Sequence, residues 1–391
     1  MITWIKQRSA LAFIVLIGLV SLFADMTYEG ARSVAGPYLA VLGASAATVG
    51  IVAGAGELIG YALRLVSGYW SDQTRRYWFI TILGYCLNLL AVPLLAFAGN
   101  WQWASALLIV ERMGKAVRTP ARDAMLSHAV HEVGSGWGFG LHQAMDQVGA
   151  MLGPIIVTVV LYLKGAYPPA LAVLLIPALL ALGTLFFARS LYPRPADLEI
   201  KSFPIGQDKF SKKFWLYVIA ASCVAVGYAD FPLIAFHFGK TQSVPQIWIP
   251  LFYSMAMGVD AAAALFFGKC FDRWGNRVLI GSALLSLFFA PFVFRGGFWA
   301  ALLGMSLWGI GMGAHESVMR AAISRMISAK KRGTAFGLFN AFYGIAWFIG
   351  SAAMGFIYDR SVAGVIIFSM VFQAASIPFF WFVVIGRTDN A

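Results

Sequence analysis

Charge is what this chain has least of. Only 12% of its 391 residues are Asp, Glu, Lys or Arg, against about 25% in a soluble domain. The 29 basic and 17 acidic residues are too few to coat a globule of this size. With 60% hydrophobic residues and a mean hydropathy of +0.77, a water-soluble fold is excluded. Cysteine is almost as scarce. Cys86, Cys223 and Cys270 show no CxxC or metal-ligand spacing, so they neither staple a secreted fold nor mark a metal site. Also missing are a P-loop, an H-E-x-x-H pair and a G-x-S-x-G turn, so neither ATP drive nor intramembrane hydrolysis has sequence support and no enzyme is expected. No metal and no cofactor is implied.

What is present is a succession of apolar segments, each near the ~20 residues a spanning helix needs. Interruptions by charge, Gly, Pro and Asn place them near 9–41, 45–70, 78–98, 102–127, 136–163, 168–189, 213–239, 245–271, 277–295, 298–325, 333–358 and 363–386. Lys6 and Arg8 ahead of the first run imitate a signal peptide, but that run continues through Asp25, Glu29 and Arg32 without a small-residue cleavage site, so it reads as a retained helix. The polar stretch 190–212, with Pro193, Pro195 and Pro204, reads as a cytosolic linker between a six-helix half at 1–189 and another at 213–391.

The net charge of +12 lies in short loops, which argues for a lipid bilayer and against nucleic acid as the partner. Lys6, Arg8, Arg75, Arg76, the linker and the loops at Lys269–Arg277 and Arg325–Arg332 fall on one side. The opposite loops hold single charges such as Lys164 and Arg295. The positive-inside rule makes the rich side cytosolic, with both termini there, and an inner, cytoplasmic-type membrane is expected. Trp4, Trp78, Trp101, Trp103 and Trp299, near segment edges, read as an interfacial belt.

The chain also repeats itself. GYWSDQTRRYW at 68–78 lines up with GKCFDRWGNRV at 268–278, and FGLHQAMDQVGAMLG at 139–153 with FGLFNAFYGIAWFIG at 336–350, at offsets of 200 and 197. Two matches at nearly one offset indicate two parallel repeats of six helices. This 6 + 6 arrangement, with G-x-x-x-D-R-x-G between the second and third helices of each half, resembles the major facilitator superfamily. The second copy has Gly268, Asp272, Arg273, Gly275 and Arg277. The first keeps Gly68, Asp72 and Arg76 but has Gln73 and Arg75 where Arg and Gly are usual. The resemblance implies an all-α integral membrane protein of twelve transmembrane helices, with Asp72 and Asp272 as conformational latch residues. The fifth segment carries Gly140, Gly149, Gly153 and Pro154 as G-x8-G-x3-G-P, which resembles the helix-packing motif of proton-linked drug antiporters, without its final glycines.

An ionisable side chain at mid-bilayer costs at least about 2.5–3.5 kcal/mol, so each one there is a functional candidate. Asp25, Glu29 and Arg32 share one helix face with Tyr28, and Glu57 and Arg64 share another. Glu111 and Arg112 lie about ten residues into the fourth segment, roughly 15 Å deep at helical rise. Leu108 and Arg112 occupy the L-x-x-x-R places that the resemblance links with proton transfer, although Lys115, Ala116 and Arg118 replace the usual residues. Glu111, Lys115, Arg118 and Arg122 share a stripe, whose lower members, with Asp123, are expected at the cytosolic interface. His142 with Asp146, Asp230 with His237, and Asp260 complete the set, beside His315 and Glu316.

A carboxylate in such a place is favoured neutral by burial and charged by a nearby arginine, so moving the arginine loads or releases a proton. Asp25, Glu29, Glu57, Glu111 and Asp146 are therefore the proton-coupling candidates. Arg32, Arg64, Arg112, Lys115, Asp230, His237 and Asp260 are candidates for substrate contact or switching. Static pairs, Glu29 with Arg32 or Glu57 with Arg64, are the competing reading. The expected function is a proton-coupled secondary transporter, a monomer, exporting a small organic or amphipathic compound. The alternatives are a symporter importing an anionic metabolite and a non-transporting membrane sensor.

Overall fold

The computed structural model describes residues 2–133, 135–193, 210–319, 322–323, 326 and 332–385. Among them the regular structure is helical. In chain order the helices are α1 (Ile2–Val41), α2 (Ala46–Thr74), α3 (Tyr77–Leu94), α4 (Trp101–Val133), α5 (Ser135–Lys164), α6 (Tyr167–Ala172), α7 (Leu175–Leu191), α8 (Lys212–Gly227), α9 (Phe231–Thr241), α10 (Trp248–Trp274), α11 (Arg277–Ser286), α12 (Phe289–Arg295), α13 (Phe298–Ala314), α14 (Arg332–Tyr358) and α15 (Val362–Ile385). A π-helical turn, His315–Met319, continues α13. Grouping α6 with α7, α8 with α9, and α11 with α12 gives the twelve spans of the sequence reading.

Among the described residues ten stretches are long and apolar enough to cross a membrane. The two other spans are the charge-rich α4 and α13, the latter 17 residues long. The outer faces of the spans leave large apolar side chains uncovered, such as Phe97 at the end of the third span at 83% and Leu265 on α10 at 74% exposure. Such surface is stable against lipid, where backbone polar groups must be paired within helices. The protein is a multi-pass membrane protein. Trp103 and Trp299 are exposed as belt residues would be, but Trp78 is not. It is buried edge-on to Phe13 and donates from Nε1 to the Tyr192 carbonyl at 2.9 Å.

The chain forms two compact units, one of residues 1–43 and 59–202, the other of 44–58 and 203–391. The start of α2 belongs with the second unit for a visible reason. Asp359 accepts from the backbone N–H groups of Ala46 and Ala47 at 3.1 and 3.0 Å, satisfying donors that a helix N-terminus leaves open.

Each unit repeats one close packing. A Cβ added to Gly153 on α5 would collide with the Met26 carbonyl of α1, and one added to Gly350 on α14 with the Val226 carbonyl of α8. Both glycine and partner are displaced by about 200 positions, so the internal repeat of the sequence is also a repeat of backbone contacts. Small residues here let two helices touch without a side chain between them.

Both loops bearing the duplicated acidic element pass through a residue of positive φ. Gly275 has φ 60° and ψ −143°, and Arg75, which replaces the corresponding glycine, also has positive φ, at 52°. The second turn lies where only glycine is at ease. We expect Gly275→Ala to lower stability by about 1–3 kcal/mol, read as a lower Tm of detergent-purified protein. An unchanged Tm would mean that the turn relaxes at no cost. The side chains of Asp72 and Asp272, the surroundings of Gly140 and residues 194–209 of the linker lie outside the described residues.

Candidate functional site

In the first unit the site begins with two glycines. Gly84 on α3 faces Gly114 on α4. A Cβ on Gly84 would stand 2.8 Å from the Gly114 carbonyl oxygen and 2.7 Å from Arg118 Cβ. The two backbones therefore meet, and the side chains flanking the contact are pressed against the opposite helix. On one flank Asn88 donates from Nδ2 to Glu111, to its carboxylate at 2.8 Å and its carbonyl at 3.0 Å. On the other, the Arg118 guanidinium lies 4.2 Å from the centre of the Tyr85 ring.

Helix α1 closes over this surface. Its Tyr28 hydroxyl donates to the Asp25 carboxylate. The Tyr28 ring carries the Lys115 ammonium 4.0 Å from its centre and the Arg118 guanidinium at 5.8 Å. Glu29 Oε1 stands 3.8 Å from Lys115 Nζ and 3.9 Å from Arg32 Nη1. Glu111 Oε2 is 3.4 Å from Arg112 Nε. Asp25, Glu29, Glu111 and Arg118 are all buried. From α5, His142 meets Ser21 of α1, and its Nδ1 lies 3.6 Å from Asp146 Oδ2. Three helices, α1, α4 and α5, thus bring Asp25, Glu29, Arg32, Glu111, Arg112, Lys115 and Asp146 into one cluster, with Asn88 and Tyr85 of α3 against it.

Arg118 departs from expectation. Read as an interfacial residue, it is 1% exposed, and its Nε and Nη1 have no hydrogen-bond partner among the described residues. Tyrosine rings, not carboxylates, hold it, which is possible because a guanidinium is weakly hydrated and stacks on aromatic faces. Arg122 bonds Ser21 Oγ at 3.0 Å and Asp123 at 2.8 Å. Arg64 lies 5.4 Å over Tyr61, whereas Glu57 is half-buried and belongs to the other unit.

The second unit has a different character. Between α8 and α9 the span breaks at residues 228–230, and the freed carbonyls are met by side chains: Ser369 Oγ on Gly227 at 2.7 Å and Trp308 Nε1 on Ala229 at 2.9 Å. Asp230, at the break, accepts from Trp347 Nε1 at 2.9 Å and from Ser351 Oγ of α14. About two turns further along α9, His237 Nδ1 contacts the Tyr358 hydroxyl at 2.8 Å. Asp260 lies beside Gly313, at the end of α13. Tyr228, Phe231, Tyr253 and Trp308 fill the space between as an aromatic core.

Buried carboxylates and cations inside one of two repeated helix sets are the furniture of a membrane transporter. A model of the Major Facilitator Superfamily matches residues 14–351 and 231–389. The chain belongs to this superfamily. An uncharacterized protein of Mycobacterium tuberculosis is 40% identical over 366 residues, covering 92% of this chain and 90% of its own. An MFS-type transporter of Methanocaldococcus jannaschii is 26% identical over 360 residues, covering 88% of each. Among solved structures, the nucleoside transporter NupG superposes with a TM-score of 0.76 at 13% identity, over 95% of this chain and 98% of its own. A bacterial homolog of the human lysosomal transporter Spinster, inward-facing and unoccupied, gives 0.69 at 13%, over 97% of each chain. These likenesses establish the major facilitator fold, two parallel six-helix repeats.

Family and fold are those of transporters for small molecules, not of enzymes. Among the described residues no three His, Cys, Asp or Glu side chains gather as metal ligands. Three members of the cluster escaped the sequence reading. Ser21, Tyr85 and Asn88 are uncharged and cost little in a membrane, so nothing in the pattern singles out Ser21 or Tyr85. Asn88, an amide within an apolar segment, was a signal that could have been followed.

Proposed function

We propose that this superfamily member is a proton-coupled secondary active transporter, working by alternating access and exporting a small organic or amphipathic compound. The observation that carries this is the buried cluster of carboxylates on α1, α4 and α5, with cations 3.4–3.9 Å from Glu29 and Glu111. Unit charges 4 Å apart interact by about 4 kcal/mol at an effective dielectric constant of 20. Doubling one such separation removes about 2 kcal/mol, roughly a thirtyfold change in a carboxylate's proton affinity. A helix shift of a few ångströms therefore suffices to load or release a proton. The antiporter-like fifth-helix motif favours export.

Import of an anionic metabolite with protons is the second reading, favoured by the two unpartnered nitrogens of Arg118. Proton coupling of either sign is placed in the first unit, and substrate contact is shared with Asp230, His237 and Asp260. The latch role stays with Asp72 and Asp272, supported by Arg76, Arg273 and Arg277. We also propose functional halves at 1–189 and 213–391 joined by 190–212, an inner-membrane location with cytosolic termini, and a monomer as the working unit.

Inverted membrane vesicles with an acid interior separate the two directions. An antiporter accumulates its compound in them, and a symporter discharges a preloaded one. The panel holds amphipathic cations, small carboxylates and, because a fold neighbour is a nucleoside transporter, nucleosides. We expect accumulation that collapses with the pH gradient. Discharge would select import, and movement indifferent to the gradient would overturn proton coupling.

A further inference from the structure

Beside the carboxylates of the first unit runs a hydrogen-bonded chain that the transport reading above does not use. Ser21 of α1 is buried, and its hydroxyl meets three side chains from three other helices. Arg122 Nη1 of α4 donates to Oγ at 3.0 Å, His142 Nε2 of α5 lies at 3.0 Å, and the Tyr85 hydroxyl of α3 at 3.5 Å. On the far side of the imidazole, Nδ1 stands 3.6 Å from Asp146 Oδ2. Asp146 Oδ1 is buried with no hydrogen-bond partner among the described residues.

The direction of these bonds follows from what each group can do. A guanidinium only donates, so Arg122 occupies one acceptor site on Ser21 Oγ. The serine has a single proton; the Asp146 carboxylate also lies within its reach, and His142 Nε2, at 3.0 Å, is the nearer of the two neighbours at hydrogen-bond distance. With that proton directed at Nε2, the tyrosine hydroxyl donates to the remaining lone pair and every valence of Ser21 Oγ is used. The neutral imidazole then carries its own proton on Nδ1, the nitrogen that faces Asp146. A ring fixed in this tautomer by a hydroxyl on one side, with a carboxylate on the other, is arranged to pass protons. The Nδ1 to Oδ2 gap exceeds a hydrogen bond, and closing it by about 0.6 Å would complete the chain.

We infer that His142 and Ser21 form a proton relay to Asp146, with the Nδ1–Oδ2 link open and the Tyr85–Ser21 link stretched in this conformation. The inference rests on the proton-coupled reading and names the route by which one of its carboxylates is served. In the loading direction the Ser21 proton passes to Nε2 as the Nδ1 proton passes to Asp146 Oδ2. Ser21 is reprotonated through Tyr85, and the net proton comes from a hydronium ion of the acidic bulk, which leaves as water. Asp146 ends as the neutral acid and the ring as its other tautomer, with no bond broken except those to hydrogen. Release runs the same steps in reverse and restores the ring.

The test needs no transported compound. Detergent-purified protein is jumped from alkaline to acidic buffer and the growth of carboxylic-acid C=O absorption is followed by time-resolved infrared spectroscopy. The Asp146 band is the one missing in Asp146→Asn. We expect His142→Ala to slow its appearance about 100-fold, in the range usual for loss of a positioned acid–base group. The final amplitude should be kept, and added imidazole should restore the rate. Ser21→Ala, which removes only an oxygen, should slow it too and not respond to imidazole. Unchanged rates in both variants would overturn the relay while leaving Asp146 as a proton carrier. Slowing that imidazole does not relieve would assign His142 to holding α5 against α1, and the relay would again fail. If wild type shows no Asp146 band that responds to pH, the proton role of Asp146 itself fails, and the relay has nothing to serve.

Discussion

Asp25→Asn should abolish proton movement driven by the transported compound in proteoliposomes while leaving exchange of that compound across the membrane intact. Asparagine keeps the size of the side chain and can still accept from Tyr28, so the local packing survives. What goes is the charge. Asp25 is buried beside Tyr28, with Lys115, Arg118 and Asp146 within electrostatic reach. Without its carboxylate the two cations lose a counter-charge, and the step that binds or releases a proton loses its acceptor. Loss of a positioned proton acceptor costs about 10²–10⁴ in rate, and net coupled flux should fall by at least the lower figure. Exchange, which returns the carrier with its substrate bound, needs no net proton transfer. If coupled flux persists in Asp25→Asn and disappears in Glu29→Gln, Glu111→Gln or Asp146→Asn, the carrier is reassigned within the cluster. If it persists in all four, these groups are structural pairs and the coupling reading is wrong.

Gly153→Ala should lower the stability of the protein, whereas a methyl group added at a glycine with open space around it should not. A Cβ there would overlap the Met26 carbonyl and lie 2.9 Å from the Gly30 nitrogen, so backbone rather than a yielding side chain is in the way. The two helices must move apart, and overpacking of this kind costs about 1–3 kcal/mol or more. Because α1 also carries Asp25 and Glu29, the same displacement would loosen the charged cluster. Gly183→Ala on α7 is the control, since a Cβ at Gly183 meets nothing within 4 Å. In a helix interior that change should stabilise by about 0.5–1 kcal/mol. Opposite shifts in Tm for the two variants are expected. Equal shifts would mean that the α1–α5 contact is looser than it looks.

The most legible features of the sequence were those with a high cost in a bilayer. Asp25, Glu29, Lys115 and Asp146 stand out within apolar segments because a charge there is expensive, and helical spacing assigns each to a face. Nothing in spacing reveals which helix covers that face. Arg118 shows the consequence. From its place along α4 it reads as an interfacial group, yet the Gly84–Gly114 contact brings Tyr85 against it and α1 brings Tyr28. Trp78 erred in the same sense, a segment-edge tryptophan that turned inward to the Tyr192 carbonyl.

By itself the sequence determined the all-helical membrane class, the spans and the twofold repeat, because hydropathy, helical period and self-similarity are properties of neighbouring residues. Only the tertiary structure decided which side chains meet. The Asn88–Glu111 bond, the tyrosine-held Arg118, the Ser21–His142 contact and the Asp359 cap on α2 each join residues that are distant in the chain. Hydroxyls, amides and glycines leave little trace in an apolar sequence, since they are tolerated almost anywhere along a helix. Their roles arise when two backbones come close enough to exclude a side chain and leave the neighbouring polar atoms no partner but each other.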